Sequence, residues 1–175
     1  MIIKQKVIGI IAPNPAISGG QGNQARIITT NFRKEGYIII FISTAQELDM
    51  WWQRIKYLRT IMNEILYIRD LFANIKQMDV LHIFSPSYFS FFQNTCIAIV
   101  IGRIYRKKII LNYRGGAAED FFKKYFFIIK PFIKMLDIIV VPSNFLKDVF
   151  NSYGFMAEII PNIVDMKRFV YNKNK

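Results

Sequence analysis

Three short stretches carry groups suited to binding or chemistry. The first, Pro13-Asn-Pro-Ala-Ile-Ser-Gly-Gly-Gln-Gly-Asn-Gln-Ala25, follows an apolar run and brings Gly19, Gly20, Gln21 and Gly22 together. Glycine lets backbone approach a ligand closely, and a helix start offers unpaired N–H groups to an anion. The second places His82 two residues before the end of the apolar run 80–84, with Ser85 and Ser87 in the turn beyond. The third is Tyr113-Arg-Gly-Gly116, followed by Glu119 and Asp120. Arg114 cannot act as a base at neutral pH, but it can bind phosphate or stabilise charge on a leaving group. Either acid has the chemistry to polarise a hydroxyl. Each stretch also has a plainer role: a wide turn for the glycines, a hydrogen-bonded core position for His82, a surface ion pair for Arg114, and helix capping for Glu119 and Asp120.

Read from Gly20, the letters G-Q-G-N-Q-A imitate the glycine fingerprint of dinucleotide-binding loops. That fingerprint needs its first glycine directly after the strand and an acid closing the second strand. Here two prolines separate the glycines from Ala12, and the second apolar run closes on Ile42-Ser43-Thr44, with Glu47 further out. Both conditions fail, which argues against a nicotinamide or flavin site and a nucleotide-dependent oxidoreductase.

The elements that must position these residues follow from periodicity. Strand-length apolar runs occur at 6–12, 37–43, 80–84, 108–113, 138–142 and 157–160, mostly without polar alternation. Parallel strands covered on both faces read this way. Helical patterns lie between them at 24–35, 49–76, 88–103, 122–136 and 143–153. Gly36 and Gly154 suit helix C-termini, Ser143 suits an N-cap, and Pro131 should kink or break its helix. On the second helix, Ile55, Leu58, Met62, Ile65, Phe72 and Ile75 fall on one face, the expected core face. The alternation predicts an α/β fold: a Rossmann-like parallel sheet with helices on both faces.

Composition sets the bounds. The 175 residues fit one domain, and 53% hydrophobic with 15% aromatic residues excludes a disordered chain. Cys96 is the only cysteine, so neither a disulfide framework nor a cysteine zinc site is present, and a cytoplasmic setting is expected. The net charge of +12 asks for an anionic partner. Its spread along the chain and the lack of recognition motifs argue against nucleic acid. The charge-free stretch 80–102 is broken by His82, Ser85, Pro86, Gln93 and Asn94, which argues against a membrane span.

The C-terminal third adds Asp137-Ile-Ile-Val-Val-Pro-Ser143, then Tyr153-Gly154, then Ile160-Pro-Asn-Ile-Val-Asp-Met-Lys-Arg-Phe169. Together with Gly19-Gly20, Asp79-Val-Leu-His-Ile-Phe84 and Ile109-Ile-Leu-Asn-Tyr-Arg-Gly-Gly116, this ordered set resembles the N-terminal half of family 4 glycosyltransferases of GT-B architecture. Two positions depart from that family's pattern: Ile163 stands where its glycine is usual, and Arg114 where a histidine often precedes glycine.

The resemblance implies an acceptor-binding domain over residues 1–168, a hinge or tail at 169–175, and a donor-binding C-terminal domain not contained in the sequence. It implies sugar transfer from a nucleotide-sugar donor to a glycan or lipid-linked acceptor, in cell-surface polysaccharide synthesis, with no metal and no bound cofactor. The substrate-contacting set would be Gly19, Gly20, Gln21, Ser85, Arg114, Gly115, Gly116 and Asn162, with Glu119, Asp120 and His82 as candidate catalytic groups. The family's E-x7-E pair is absent, so the chain alone is expected to be inactive without a donor domain or donor subunit. The alternative is a non-catalytic subunit anchoring a donor-binding partner. Lysines interleave with aromatics over 121–134, and Trp51 and Trp52 stand near Arg54, Lys56 and Arg59. Both suit peripheral attachment to an anionic inner membrane surface, or core aromatics beside solvated lysines.

Overall fold

The computed structural model describes residues 5–15, 19–45 and 50–164. Glu47, the start of the second expected helix at Asp49, and the tail from Asp165 onward lie outside the described residues. Strands β1 (Val7–Ala12), β2 (Ile38–Ser43), β3 (Val80–Ser85), β4 (Lys108–Tyr113), β5 (Ile138–Val141) and β6 (Glu158–Ile159) form one sheet. Its order is β2-β1-β3-β4-β5-β6, with every neighbouring pair parallel. The crossovers carry α1 (Gly20–Lys34), α2 (Lys56–Asn74), α3 (Ile97–Ile104), α4 (Ala118–Ile133) and α5 (Asn144–Ser152). This is the expected Rossmann-like α/β fold.

Alternate strand residues serve opposite faces of the sheet. Ile10, Ala12 and Phe84 pack against Ala25 and Ile28 of α1. Ile11, Ile42, Leu81, Ile83 and Ile109 pack with Tyr67, Leu71 and Ile75 from α2 and its continuation, and with Ala98, Ile99 and Ile101 of α3. Leu111, Tyr113, Ile139 and Val141 pack under α4 and α5. Among the described residues α1 alone covers one face, and α2 to α5 cover the other. Right-handed crossovers require this: only the β1-to-β2 connection runs toward β2, and every later one runs the opposite way.

Helix ends follow the expected chemistry. Gly36 (φ 87) and Gly154 (φ 81) close α1 and α5 in the left-handed region. Each end carries the matching bonds: Tyr37 N–H donates to the Phe32 carbonyl, and Phe155 N–H to that of Phe150. Ser143 caps α5 by accepting the Leu146 N–H at 3.4 Å. The end of α3 has the same geometry with Arg106 (φ 53) in place of glycine, and Lys107 N–H donates to the Gly102 carbonyl.

Four local expectations change. Helix α1 starts at Gly20 rather than Gln24, and this turns Gln24 inward. Ile75, just after α2, is buried as expected, but within α2 the core face is Tyr67 and Leu71, while Ile65, Phe72 and the preceding Ile55 are exposed. The expected helix 88–103 opens with a π turn, Phe91–Cys96, before α3. Pro131 does not break α4, which runs on to Ile133. Phe121, Phe122, Ile129 and Ile133 are core, so of the aromatic–lysine stretch Phe127 and Ile128 are the strongly exposed apolar residues. No helix among the described residues is long and apolar enough to cross a membrane.

The amino-terminal edge of the sheet is tied by carboxylates. Asp79 accepts the Val7 N–H at 2.9 Å, and Asp137 accepts the Ile109 N–H at 2.8 Å. Asp137 also pairs with Arg103 at 3.1 Å and Lys108 at 3.2 Å.

Candidate functional site at the carboxyl edge of the sheet

In open α/β sheets ligands sit beyond the carboxyl ends of the strands, where neighbouring crossovers diverge. Here that point lies between β1 and β3. The groups around it come from β3, the turn after β4, the start of α1 and the segment after β6.

Arg114 leaves β4 at this edge and is half-buried. Its backbone N–H donates to the Ser85 carbonyl at 2.9 Å, which ties the turn to β3. The Nε donates to Asn112 Oδ1 at 2.8 Å, Nη1 donates to Asn162 Oδ1, and the guanidinium lies 5.5 Å from the centre of the Phe84 ring. Every side-chain partner is neutral. Among the described residues no carboxylate pairs with Arg114, whereas Asp70, Asp120 and Asp137 are all engaged by cations. Burial pushes the guanidinium below its ordinary pKa, yet arginine keeps its charge. An anion arriving at this edge meets a positive charge that is already oriented.

His82 stands behind that arginine. It is 8% exposed, stacks on Phe84 with ring centres 5.1 Å apart, and lies 3.0 Å from Asn112 through Nε2. Asn112 Nδ2 is a donor and its Oδ1 already serves Arg114, so His82 Nε2 accepts and the ring is neutral. Burial, with the Arg114 charge in support, lowers its pKa to about 4. His82 is therefore the hydrogen-bonded core histidine among its two readings. Through Asn112 it helps orient Arg114.

Ser85 is fully buried and bonds Thr95 Oγ1 at 2.8 Å, so its hydroxyl is used inside the protein. Ser87 bonds the Tyr113 hydroxyl at 2.7 Å. Gly115 backs onto that pair: a Cβ there would lie 2.1 Å from Ser87 Oγ and 3.0 Å from its backbone nitrogen. Gly19 and Gly20 are exposed at the start of α1, Gly19 being the N-cap residue with no side-chain cap, and Gln21 is half-buried beside them.

Gly116 opens onto a groove between α4 and α5. Two adjoining cavities, about 370 and 480 Å³, share Glu119 and Phe145 as walls. Asp120 lines the first, but its carboxylate is occupied by the Tyr88 hydroxyl and by Lys124 at 3.0 Å, and these bonds lower its pKa. Glu119 has no ion-pair partner among the described residues. No set of three or more His, Cys, Asp or Glu side chains gathers there as a metal site, again among the described residues.

Of the residues that the sequence reading put in the site, Arg114 and Asn162 touch, Ser85 meets Arg114 only through its backbone carbonyl, and Gly19 and Gly20 stand at the start of α1. Asn112, Phe84 and Gln24 escaped that reading. Asn112 and Phe84 lay in plain sight on strands, but nothing in their residue types marks a support for an arginine.

No family model matches this sequence, and no curated protein matches it. Among solved structures the fold is similar to that of a 2-deoxyribosyltransferase from the psychrotolerant bacterium Bacillus psychrosaccharolyticus, described as a biocatalyst for the synthesis of nucleosides. The TM-score is 0.50 at 13% identity, over 87% of this chain and 99% of that one. At that identity the likeness establishes a shared Rossmann-like fold, one that a transferase uses.

These comparisons overturn the resemblance to family 4 glycosyltransferases. The sheet unit aligns with almost the whole of a solved transferase chain, and no family model matches the sequence. The nucleotide-sugar donor, the glycan or lipid-linked acceptor, the place in polysaccharide synthesis and the need for a donor domain or subunit fall with it. So does the non-catalytic subunit that would recruit such a partner. The segments behind the resemblance have structural duties instead. Asp79 and Asp137 tie strand starts, Ser143 caps α5, and Gly154 closes it. Any parallel α/β sheet rewards such residues at such places, so their order follows from the fold.

Proposed function

We propose that this chain is a group-transfer enzyme acting on a small nucleoside-type substrate that carries an anionic group, bound at the carboxyl edge with Arg114 as its anchor. The observation that carries this reading is Arg114 itself: a half-buried guanidinium oriented by Asn112 and the Phe84 ring, its Nη1 meeting only the neutral Asn162, with no carboxylate partner among the described residues. A charge held by neutral groups suits a ligand anion that completes the pair. The fold shared with a 2-deoxyribosyltransferase supports a sugar–base substrate, and the 5′-phosphate of a nucleotide supplies the anion.

The reaction in this reading exchanges or releases the base at the anomeric carbon. Such chemistry needs a carboxylate to meet the developing positive charge and a proton donor for the departing base, with no resident metal or redox cofactor. Glu119, in the groove beyond the Arg-Gly-Gly turn, is the candidate carboxylate. Asp120 is already committed to Tyr88 and Lys124.

The test is chromatographic. The purified chain is incubated with each 2′-deoxynucleoside and its 5′-monophosphate, with and without a second free base. The expected result is base release or exchange, preferring the monophosphates, with kcat/KM lowered at least about tenfold in Arg114→Gln. Absence of both reactions across the whole panel would overturn the reading.

A further inference from the structure

The segment after β6 runs back across the carboxyl edge of the sheet. Ile160 N–H donates to the Val141 carbonyl at the far edge, and the next residues reach the centre. Asn162 Oδ1 accepts from Arg114 Nη1. Ile163 is then held at both backbone groups by one side chain: Gln24 Nε2 donates to its carbonyl at 2.9 Å, and its N–H donates to Gln24 Oε1 at 2.9 Å. Gln24 comes from α1, follows β1, and is 8% exposed. The bonds of Asn162 and Ile163 thus reach back to the turn after β4 and to α1 through side chains, while residues 161–164 stay exposed, with Ile163 at 37% and Val164 at 54%. Segments with few buried apolar contacts open at low cost.

We propose that residues 161–164 form a strap that occupies the anion seat of the protein in the absence of ligand. Asn162 takes the Arg114 donor that a substrate phosphate needs, and Gln24 latches the strap over the point where the β1 and β3 crossovers diverge. Binding of a phosphate-bearing ligand displaces Asn162 and frees Ile163 from Gln24. Because the seat is competent only when the strap is off, the measured affinity is lowered by the fraction of molecules with the strap open. This inference rests on the reading of Arg114 as the anion anchor.

Two measurements on the full 175-residue chain test it, with inorganic phosphate and deoxyadenosine 5′-monophosphate as probes. By calorimetry, Asn162→Ala and Gln24→Leu should each bind the monophosphate about tenfold more tightly than the wild type, since the first removes one hydrogen bond of the closed state and the second removes two. Circular dichroism confirms that both variants are folded. By amide hydrogen exchange, the Ile163 N–H should be protected in the free wild type and exchange faster when the monophosphate is added. Weaker or unchanged binding in both variants overturns the strap, as does unchanged Ile163 protection at saturating ligand. The Arg114→Gln control separates the two ideas. If it binds as the wild type does, the anchor reading falls and takes the strap with it. If it loses binding while Asn162→Ala and Gln24→Leu match the wild type, the strap alone falls.

Discussion

The two ends of the sheet treat charge in opposite ways. At the amino end, two carboxylates are matched: Asp137 meets Arg103, Lys108 and the Ile109 N–H, and Asp79 meets the Val7 N–H. At the carboxyl end, Arg114 is held only by neutral acceptors and an aromatic face. A charge neutralised by the protein contributes to holding the fold. A charge left for an outside partner costs desolvation in the free protein and repays it when the partner binds. The difference separates a stabilising edge from a binding edge within one sheet of otherwise similar Ile-rich strands.

The largest effect should come from breaking the matched end. Asp137→Ala strands the Ile109 N–H and removes the shared partner of two cations, so stability should fall by about 2–3 kcal/mol. Urea unfolding should show a lower midpoint at constant slope, with ligand binding at Arg114 unchanged. Burial acts to raise the Asp137 pKa, but the Ile109 N–H, Lys108 and Arg103 together hold it below the ordinary carboxylate value. A folded pKa below the unfolded one gives stability that is present above the unfolded pKa and lost as pH falls through the folded one. Asp137→Asn should therefore flatten the acid limb of the stability curve. A loss under about 0.5 kcal/mol in Asp137→Ala would show that the edge is not held by this carboxylate.

Next in size is a steric break confined to the binding end. Gly115→Ala forces a Cβ against Ser87, including its backbone nitrogen, and against the Tyr113 hydroxyl. Stability should drop by about 1–3 kcal/mol through overpacking. Ligand affinity should fall too, because Ser87 and the Arg114 turn move together. Unchanged affinity at reduced stability would place the ligand away from this turn.

The stabilising end was also the legible end. The runs 6–12 and 80–84 announced buried parallel strands, and Gly36, Gly154 and Ser143 announced helix ends through residue types that those backbone positions demand. What escaped depends on tertiary contact. Arg106 ends α3 in a left-handed conformation with no glycine to signal it. The apolar side of α2 is wider than the face it buries, so periodicity selected the exposed Ile65 and Phe72 along with the buried Ile75, while packing selected Tyr67 and Leu71. At the binding end, Arg114 drew notice as a residue type. Its supports, Asn112 and Phe84, lie on separate strands and meet around it only once the sheet forms. The strand-end segments misled for the converse reason: residues demanded by the fold read as marks of a family.

A smaller test asks how far the unmatched charge reaches into the core. His82 is kept neutral by burial and by Arg114, with its pKa lowered to about 4 against an ordinary value of 6.5. In the unfolded chain the imidazole takes a proton as pH falls through 6.5, while the folded state refuses it until about 4. His82 therefore favours folding above pH 6.5, and this contribution drains away between 6.5 and 4, before Asp137 responds. Equilibrium unfolding across that window should show stability rising with pH, and His82→Gln should remove most of the slope. A wild-type curve that is flat between those limits would mean that His82 reaches water.

The smallest effect on stability should come from the residue with the largest role in binding. Arg114→Gln keeps a polar side chain of similar reach that can still donate to Asn112 or Asn162, and it removes a half-buried charge that lacks a carboxylate partner among the described residues. Its unfolding free energy should therefore stay within about 1 kcal/mol of the wild type, on either side. Affinity for a phosphate-bearing ligand should fall at least about tenfold, because the charge-assisted pair has no substitute. Matched measurements on Arg114→Gln and Asp137→Asn thus form a crossed pair, one losing binding without stability and the other stability without binding. If Arg114→Gln instead lost several kcal/mol with no change in affinity, the guanidinium would be a strut like Asp137, and the two ends of the sheet would differ only in the sign of the charge that holds them.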